Sequence, residues 1–107
     1  FAQAATGASG IETLLPLALE LFHNESIKID KLIASMTSNP AKILGIEKGS
    51  LDKGKDADIC ILDINKPWVV SKKNLNSKSK NTPIENRKLQ GQVLKTFVKG
   101  ELAFDRK

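Results

Sequence analysis

With one histidine and one cysteine in 107 residues, the sequence is short of the side chains that build catalytic metal centres and nucleophilic triads. A hydrolytic metal site needs several His, Asp, Glu or Cys ligands converging on one point. A Ser/His/Asp arrangement would have to use that same His23, and no nucleophile-elbow motif lies beside it. His23 closes an apolar run and reads as a helix-end surface residue. Cys60 alone excludes a disulfide framework and a cysteine zinc motif. It sits among Ile59, Ile61 and Leu62 and reads as a buried, inert thiol; a reducing cytoplasm is compatible with this usage. Tyrosine is absent, and four Phe and one Trp are the only aromatics. The net charge of +5 therefore lacks the aromatic interleaving of a nucleic-acid surface and reads as a solvated, lysine-rich face. No apolar run is long enough to cross a membrane: the longest, Ile11 to Phe22, carries Glu12 and Glu20. Residues 1–10 (FAQAATGASG) lack the basic start and apolar run of a signal peptide. The chain opens on Phe1, without an initiator Met, which leads us to expect a processed or trimmed N-terminus or a segment of something longer.

The composition changes near Gly49. Before it, Leu, Ile and Ala recur at helical spacing; after it, short strand-like runs alternate with Gly, Pro, Asn and Lys turns. Residues 1–10 read as a Gly- and Ala-rich loop. Ser9 and Glu12 then have capping-box spacing at the start of a helix. That helix carries Leu14, Leu15, Leu17, Ala18, Leu19, Leu21 and Phe22, apolar on most sides, and should be largely buried. Pro16 should bend its first turn or delay the regular helix, which should end near His23-Asn24. A second helix is predicted from Asp30 as N-cap, with Ile29, Leu32, Ile33 and Met36 on one face. A third has Asn39 as cap, Pro40 at the first helical position and Gly45 as its stop.

In the second half, Ala57 to Ile64 is apolar on both faces in its middle and suits an internal strand covered on both sides. Pro67-Trp68-Val69-Val70 reads as a short edge strand and Ser71 to Leu75 as a helical turn. Ser77 to Asn81 reads as an exposed loop. Gln92 to Val98 and Leu102 to Phe104 read as a hairpin turning at Lys99-Gly100. Three helices and about four strands do not close a core easily, which again points to part of a larger protein.

The remaining residues offer little chemistry. Asp56, Asp58 and Asp63 bracket a strand and read as solvated strand ends rather than a carboxylate pair. Gly7 and Gly10 form no P-loop or dinucleotide pattern, and Trp68 beside Pro67 reads as packing. The loop before the first helix is the one place with functional promise, because a Gly-rich loop at a helix start offers free N–H groups to an anion such as a carboxylate.

Three segments together resemble the C-terminal part of the dihydroorotases of the long bacterial type. The first is Gly7-Ala8-Ser9-Gly10-Ile11-Glu12-Thr13 with Leu15-Pro16-Leu17, similar to the family's G-x-x-G-[LF]-E-T-x-x-P-L. The second runs Thr37-Ser38-Asn39-Pro40-Ala41-Lys42-Ile43-Leu44-Gly45, then Gly49-Ser50-Leu51 and Gly54-Lys55-Asp56-Ala57-Asp58, a pattern common to many amidohydrolases. The third, the most discriminating, is Ser77 to Pro83 with Leu89-Gln90-Gly91-Gln92-Val93 and Thr96. Thr6, Ile84 and Asn86 depart from the family's usual residues.

The resemblance implies an α/β fold: the end of a metal-dependent (β/α)8 amidohydrolase barrel with its closing helices, plus the C-terminal strands of a small β domain. On that template residues 1–48 are the last barrel loop and closing helices, and 49–107 belong to the β domain. The implied reaction is the reversible hydrolysis of dihydroorotate to N-carbamoyl-aspartate in pyrimidine synthesis. Zinc would polarise the ring amide and supply hydroxide, while an Asp moves the proton. The family's metal ligands and catalytic Asp have no counterpart in this segment, so no zinc is expected in it and it should be inactive alone. The transferable contact is the loop backbone at Thr6 and Gly7, as substrate-binding positions. The implied partner is a small-molecule substrate, with a homo-oligomer or aspartate transcarbamoylase as protein partners, and neither nucleic acid nor membrane. The alternatives are a sister cyclic amidohydrolase of allantoinase or dihydropyrimidinase type, and a metal-free scaffold for aspartate transcarbamoylase.

Overall fold

The structure, a computed structural model, describes residues 3–4 and 7–107. A 3₁₀ turn, Ile11–Thr13, leads into helix α1 (Leu14–His23), followed by α2 (Ile29–Met36) and α3 (Ser38–Leu44). The chain then forms strand β1 (Ile59–Val69), a 3₁₀ turn at Lys72–Asn74, and strands β2 (Lys88–Val98) and β3 (Glu101–Asp105). The three strands make one antiparallel sheet in the order β1-β2-β3.

Pro16 sets the start of α1. A regular helix from Ile11 would need the N–H of residue 16 to reach the Glu12 carbonyl, and proline has none. The chain therefore makes a 3₁₀ turn first, and Pro16 falls where α1 has no N–H partner to lose. Thr13, Pro16 and Leu19 face inward. The helix is less enclosed than its composition suggests, since Leu14 is 58% and Leu21 47% exposed.

Two helix starts differ from the sequence reading. The Leu32 N–H bonds the Lys28 carbonyl at 3.0 Å, so α2 begins at Ile29. Asp30 thus lies inside the first turn, its Oδ1 accepting from the Lys31 N–H at 2.9 Å, and is not the cap. Likewise the Ala41 N–H bonds the Thr37 carbonyl at 3.2 Å, which makes Thr37 the boundary of α3 and puts Asn39 and Pro40 within it. Gly45 ends α3 as expected, at φ +68.

The strand at Ala57 to Ile64 is not covered on both sides. It is the start of β1, a sheet edge, with Ile61 44% exposed. Cys60 is accordingly exposed rather than buried, its Sγ 3.8 Å from Thr96 Oγ1. The sequence supplies two apolar faces, but α1 is the helix that packs on this sheet, against β2. Pro67 to Val69 is a continuation of β1 beyond an irregularity after Asp63, whose Oδ1 accepts from the N–H groups of Asn65 and Lys66. The hairpin forms as predicted, with positive φ at both Lys99 and Gly100 as a type I′ turn requires.

Helix and sheet meet at Gly91. Its φ is +110, and a Cβ there would lie 2.3 Å from Cδ1 of Leu19, which is fully buried. Only glycine lets α1 approach β2 this closely. Around this contact, His23 Nε2 donates to the Ile64 carbonyl at 2.9 Å and Trp68 Nε1 to the Gly91 carbonyl at 2.9 Å. Glu20 pairs with Arg87 at 2.6 Å.

Candidate functional site

The loop entering α1 is the site that the sequence singles out. Thr6 lies outside the described residues. Gly7 is exposed, and a side chain at that position would start into open space. The capping box expected between Ser9 and Glu12 does not form: neither the 3₁₀ turn nor α1 has a side-chain cap at its start. Both side chains instead reach across to the segment after Leu75. The Glu12 carboxylate accepts from the Asn76 N–H at 3.0 Å, the Asn76 side-chain amide at 3.2 Å and the Ser77 N–H at 3.0 Å. Ser9 Oγ donates to the Ser79 carbonyl at 3.0 Å, and the Ser9 N–H to the Asn81 carbonyl at 2.7 Å. The Asn81 side-chain amide donates to the Gly7 carbonyl.

Partial burial alone would push the Glu12 carboxyl up. The N–H groups of Asn76 and Ser77, the Asn76 amide and the charge of Lys80 outweigh it and hold Glu12 below its ordinary range. Buried Leu75 and Thr82 anchor the two ends of the opposing segment, and Lys80 Nζ folds back onto the Leu75 carbonyl. Residues 77–81, read from sequence as an exposed loop, are largely exposed and, with Asn76, also form a clasp on residues 7–12. Nothing local in the sequence announces this, because the partners are 64 to 74 positions apart.

On the sheet side of the same loop lies an open cleft of about 640 Å³, lined by Gly10, Glu12, Trp68, Gln92, Thr96 and Arg106 among others. The Arg106 guanidinium stacks 5.3 Å from the Phe104 ring centroid and donates to the Val93 carbonyl at 2.8 Å. Gly7 does not line this cleft.

A second charged cluster ties Lys48 to the segment entering β1. Lys48 Nζ bonds Asp56 at 2.8 Å and Asp58 at 2.6 Å, and the two carboxylates hold its ammonium well above the ordinary range. Asp58 is held low by Lys48 and by the Lys99 N–H, which it accepts at 3.0 Å, tying residues 48–58 to the hairpin turn. Among the described residues no three His, Cys, Asp or Glu side chains converge as a metal site would require. The donor set of the described residues therefore does not fit zinc. Among them, too, no helix is long and apolar enough to cross a membrane.

Comparison with known proteins agrees with this architecture. The profile of the Amidohydrolase family matches residues 4–103. A protein named dihydroorotase from Ehrlichia canis (strain Jake) is 45% identical over 94% of this chain, and one from Elusimicrobium minutum (strain Pei191) 46% identical over 98%. The chain spans 23% and 24% of their lengths. Among solved structures, the L-hydantoinase (dihydropyrimidinase) from Arthrobacter aurescens superposes with a TM-score of 0.86 at 33% identity, over 95% of this chain and 23% of that one. A D-hydantoinase superposes with a TM-score of 0.87 at 22% identity over the same shares, a likeness of fold. With the profile matched over nearly its whole length, the chain belongs to the amidohydrolase family.

Proposed function

We propose that this chain is the C-terminal quarter of a zinc-dependent dihydroorotase, which interconverts dihydroorotate and N-carbamoyl-aspartate in de novo pyrimidine biosynthesis. The observation that carries the reading is the 45–46% identity to proteins of that name across almost the entire chain. In this reading residues 1–48 are the last loop of a (β/α)8 barrel with its closing helices, and 49–107 are part of a small β domain. The zinc ligands lie outside this segment. The segment's own part is to present backbone N–H groups at Thr6 and Gly7 to the anionic substrate, where fixed dipoles bind a carboxylate well.

The test uses a protein of the relatives' full length that carries this segment. We expect it to hydrolyse dihydroorotate, and to lose that activity on metal chelation and regain it with zinc. Gly7→Val should raise KM while leaving the melting temperature unchanged, because the added side chain meets no neighbour in this segment. Unchanged kinetics in that variant would remove Gly7 from the binding site. The likeness to L-hydantoinase supports a second reading, a hydantoin- or dihydropyrimidine-opening enzyme. Preferred turnover of those rings, or of allantoin, over dihydroorotate would favour it.

A further inference from the structure

We propose that Asn81, with Glu12, is a positioning residue for the substrate loop: residues 76–81 act as a strut that fixes the backbone at Gly7 from outside the barrel-side segment. The proposal rests on the reading of Gly7 as a substrate contact. Its own observation is the convergence of two bonds on one residue. Asn81 donates its side-chain amide to the Gly7 carbonyl and accepts the Ser9 N–H on its backbone carbonyl at 2.7 Å. A held carbonyl fixes the whole plane of the Gly7–Ala8 peptide, since the peptide unit is rigid, and so anchors the Gly7 Cα that carries the contact N–H. The second bond fixes the chain two residues further on, so little torsional freedom is left between Gly7 and Ser9. At the other end of the loop the Glu12 carboxylate gathers three donors from Asn76 and Ser77.

The strut can bear this role because its own ends are fixed by burial. Leu75 and Thr82 are each 7% exposed, while the residues between them are mostly exposed and free to serve as contacts. Its alignment also follows from α1, which is locked to the sheet at Leu19 and Gly91. A substrate-binding loop needs such pre-organisation, because a displacement of about 1 Å can cost on the order of a hundredfold in rate.

The experiment compares Asn81→Asp and Glu12→Gln with the parent in the full-length protein, with Lys78→Ala on the same strut as control. Asn81→Asp keeps the shape but turns the donor facing the Gly7 carbonyl into an acceptor. We expect KM for dihydroorotate to rise about tenfold with a smaller change in kcat, because the lost quantity is loop placement. Amide hydrogen exchange in residues 7–13 should quicken in both clasp variants and stay at the parent's rate in Lys78→Ala. A parent-like KM in Asn81→Asp, in a protein that hydrolyses dihydroorotate, would overturn the positioning role and leave the proposed function standing. A parent protein that opens no cyclic amide would sink the proposed function and, with it, the substrate half of this proposal. Exchange at 7–13 would then judge the strut alone, and unaltered rates would overturn that too.

Discussion

A methyl group added at Gly91 would sit 2.3 Å from Cδ1 of Leu19, on a backbone held at φ +110. Gly91→Ala should therefore destabilise the full-length protein by about 1–3 kcal/mol from overpacking, with left-handed strain adding about as much again. Combining it with Leu19→Ala removes the clash but not the strain, so the double variant should lose less than the sum of the single losses. Denaturant melts of the four proteins decide it, and strict additivity would show that the two residues do not touch. Glu12 gives a second prediction at this scale. Its carboxyl is depressed below the ordinary value of 4.5, so the clasp is intact above that value and opens as pH falls through the lower, folded one. The Asn76 and Ser77 amide signals should shift together with a midpoint below 4.5. Because Glu12 is exposed, the accompanying change in stability should be small. A midpoint at or above 4.5 would mean that the clasp is open in solution. The sequence singled out the loop before α1 but not its support: Ser9 and Glu12 have capping spacing, and the donors at residues 76 and 77 compete for Glu12 from far along the chain.

Among the elements, those governed by local chemistry were legible in advance. Pro16 delayed α1, Gly45 stopped α3, and Lys99-Gly100 turned the hairpin, each through a backbone restriction that the residue carries anywhere. The starts of α2 and α3 lie two residues earlier than the sequence suggests, because Asp30 and Asn39 are good caps that instead lie inside the first turn. Burial was the least legible property. The apolar pattern of β1 records what it is fit to pack against, whereas its exposure depends on neighbours that the pattern does not name. The docking of α1 offers a comparison of forces at this scale. Leu19→Ala, at a fully buried side chain, should cost about 2–5 kcal/mol. Arg87→Ala breaks the Glu20–Arg87 pair, whose side chains are 40% and 48% exposed, and should cost about 1 kcal/mol or less. Equal losses in urea melts would mean that the ion pair fastens α1 to the sheet as strongly as the apolar contact does.

The whole molecule has more surface than its mass calls for. A folded monomer of 11.7 kDa is expected to expose about 5,900 Å², yet this chain exposes 8258 Å². Its radius of gyration is 15.6 Å, against about 13 Å for a compact chain of this length. The surplus, roughly 2,000 Å² or more, exceeds the area that one partner contributes to an ordinary protein–protein interface. Much of it is apolar: Ile11 is 95% exposed, Ile43 85%, Leu51 80% and Leu44 72%. The buried hydrophobic core among the described residues is small by comparison, namely Leu19, Leu32, Ala41, Val70, Leu75 and Leu89. Each large side chain left in water forgoes about 1.5–3 kcal/mol of burial, and a domain's whole stability is only about 5–15 kcal/mol. Both edges of the sheet, β1 and β3, also carry unpaired backbone groups that invite association. These 107 residues, expressed on their own, should therefore associate with rising concentration, bind an apolar dye and melt without a sharp transition. Within a protein of the relatives' full length the same residues should melt cooperatively with the rest, their exposed side chains covered by the additional chain. Sedimentation, dye binding and calorimetry on both forms make the comparison. A monomeric isolated chain with one sharp melt and well-dispersed NMR signals would show that this small buried apolar set and a three-stranded sheet suffice as a core, and the surplus surface would then need another explanation.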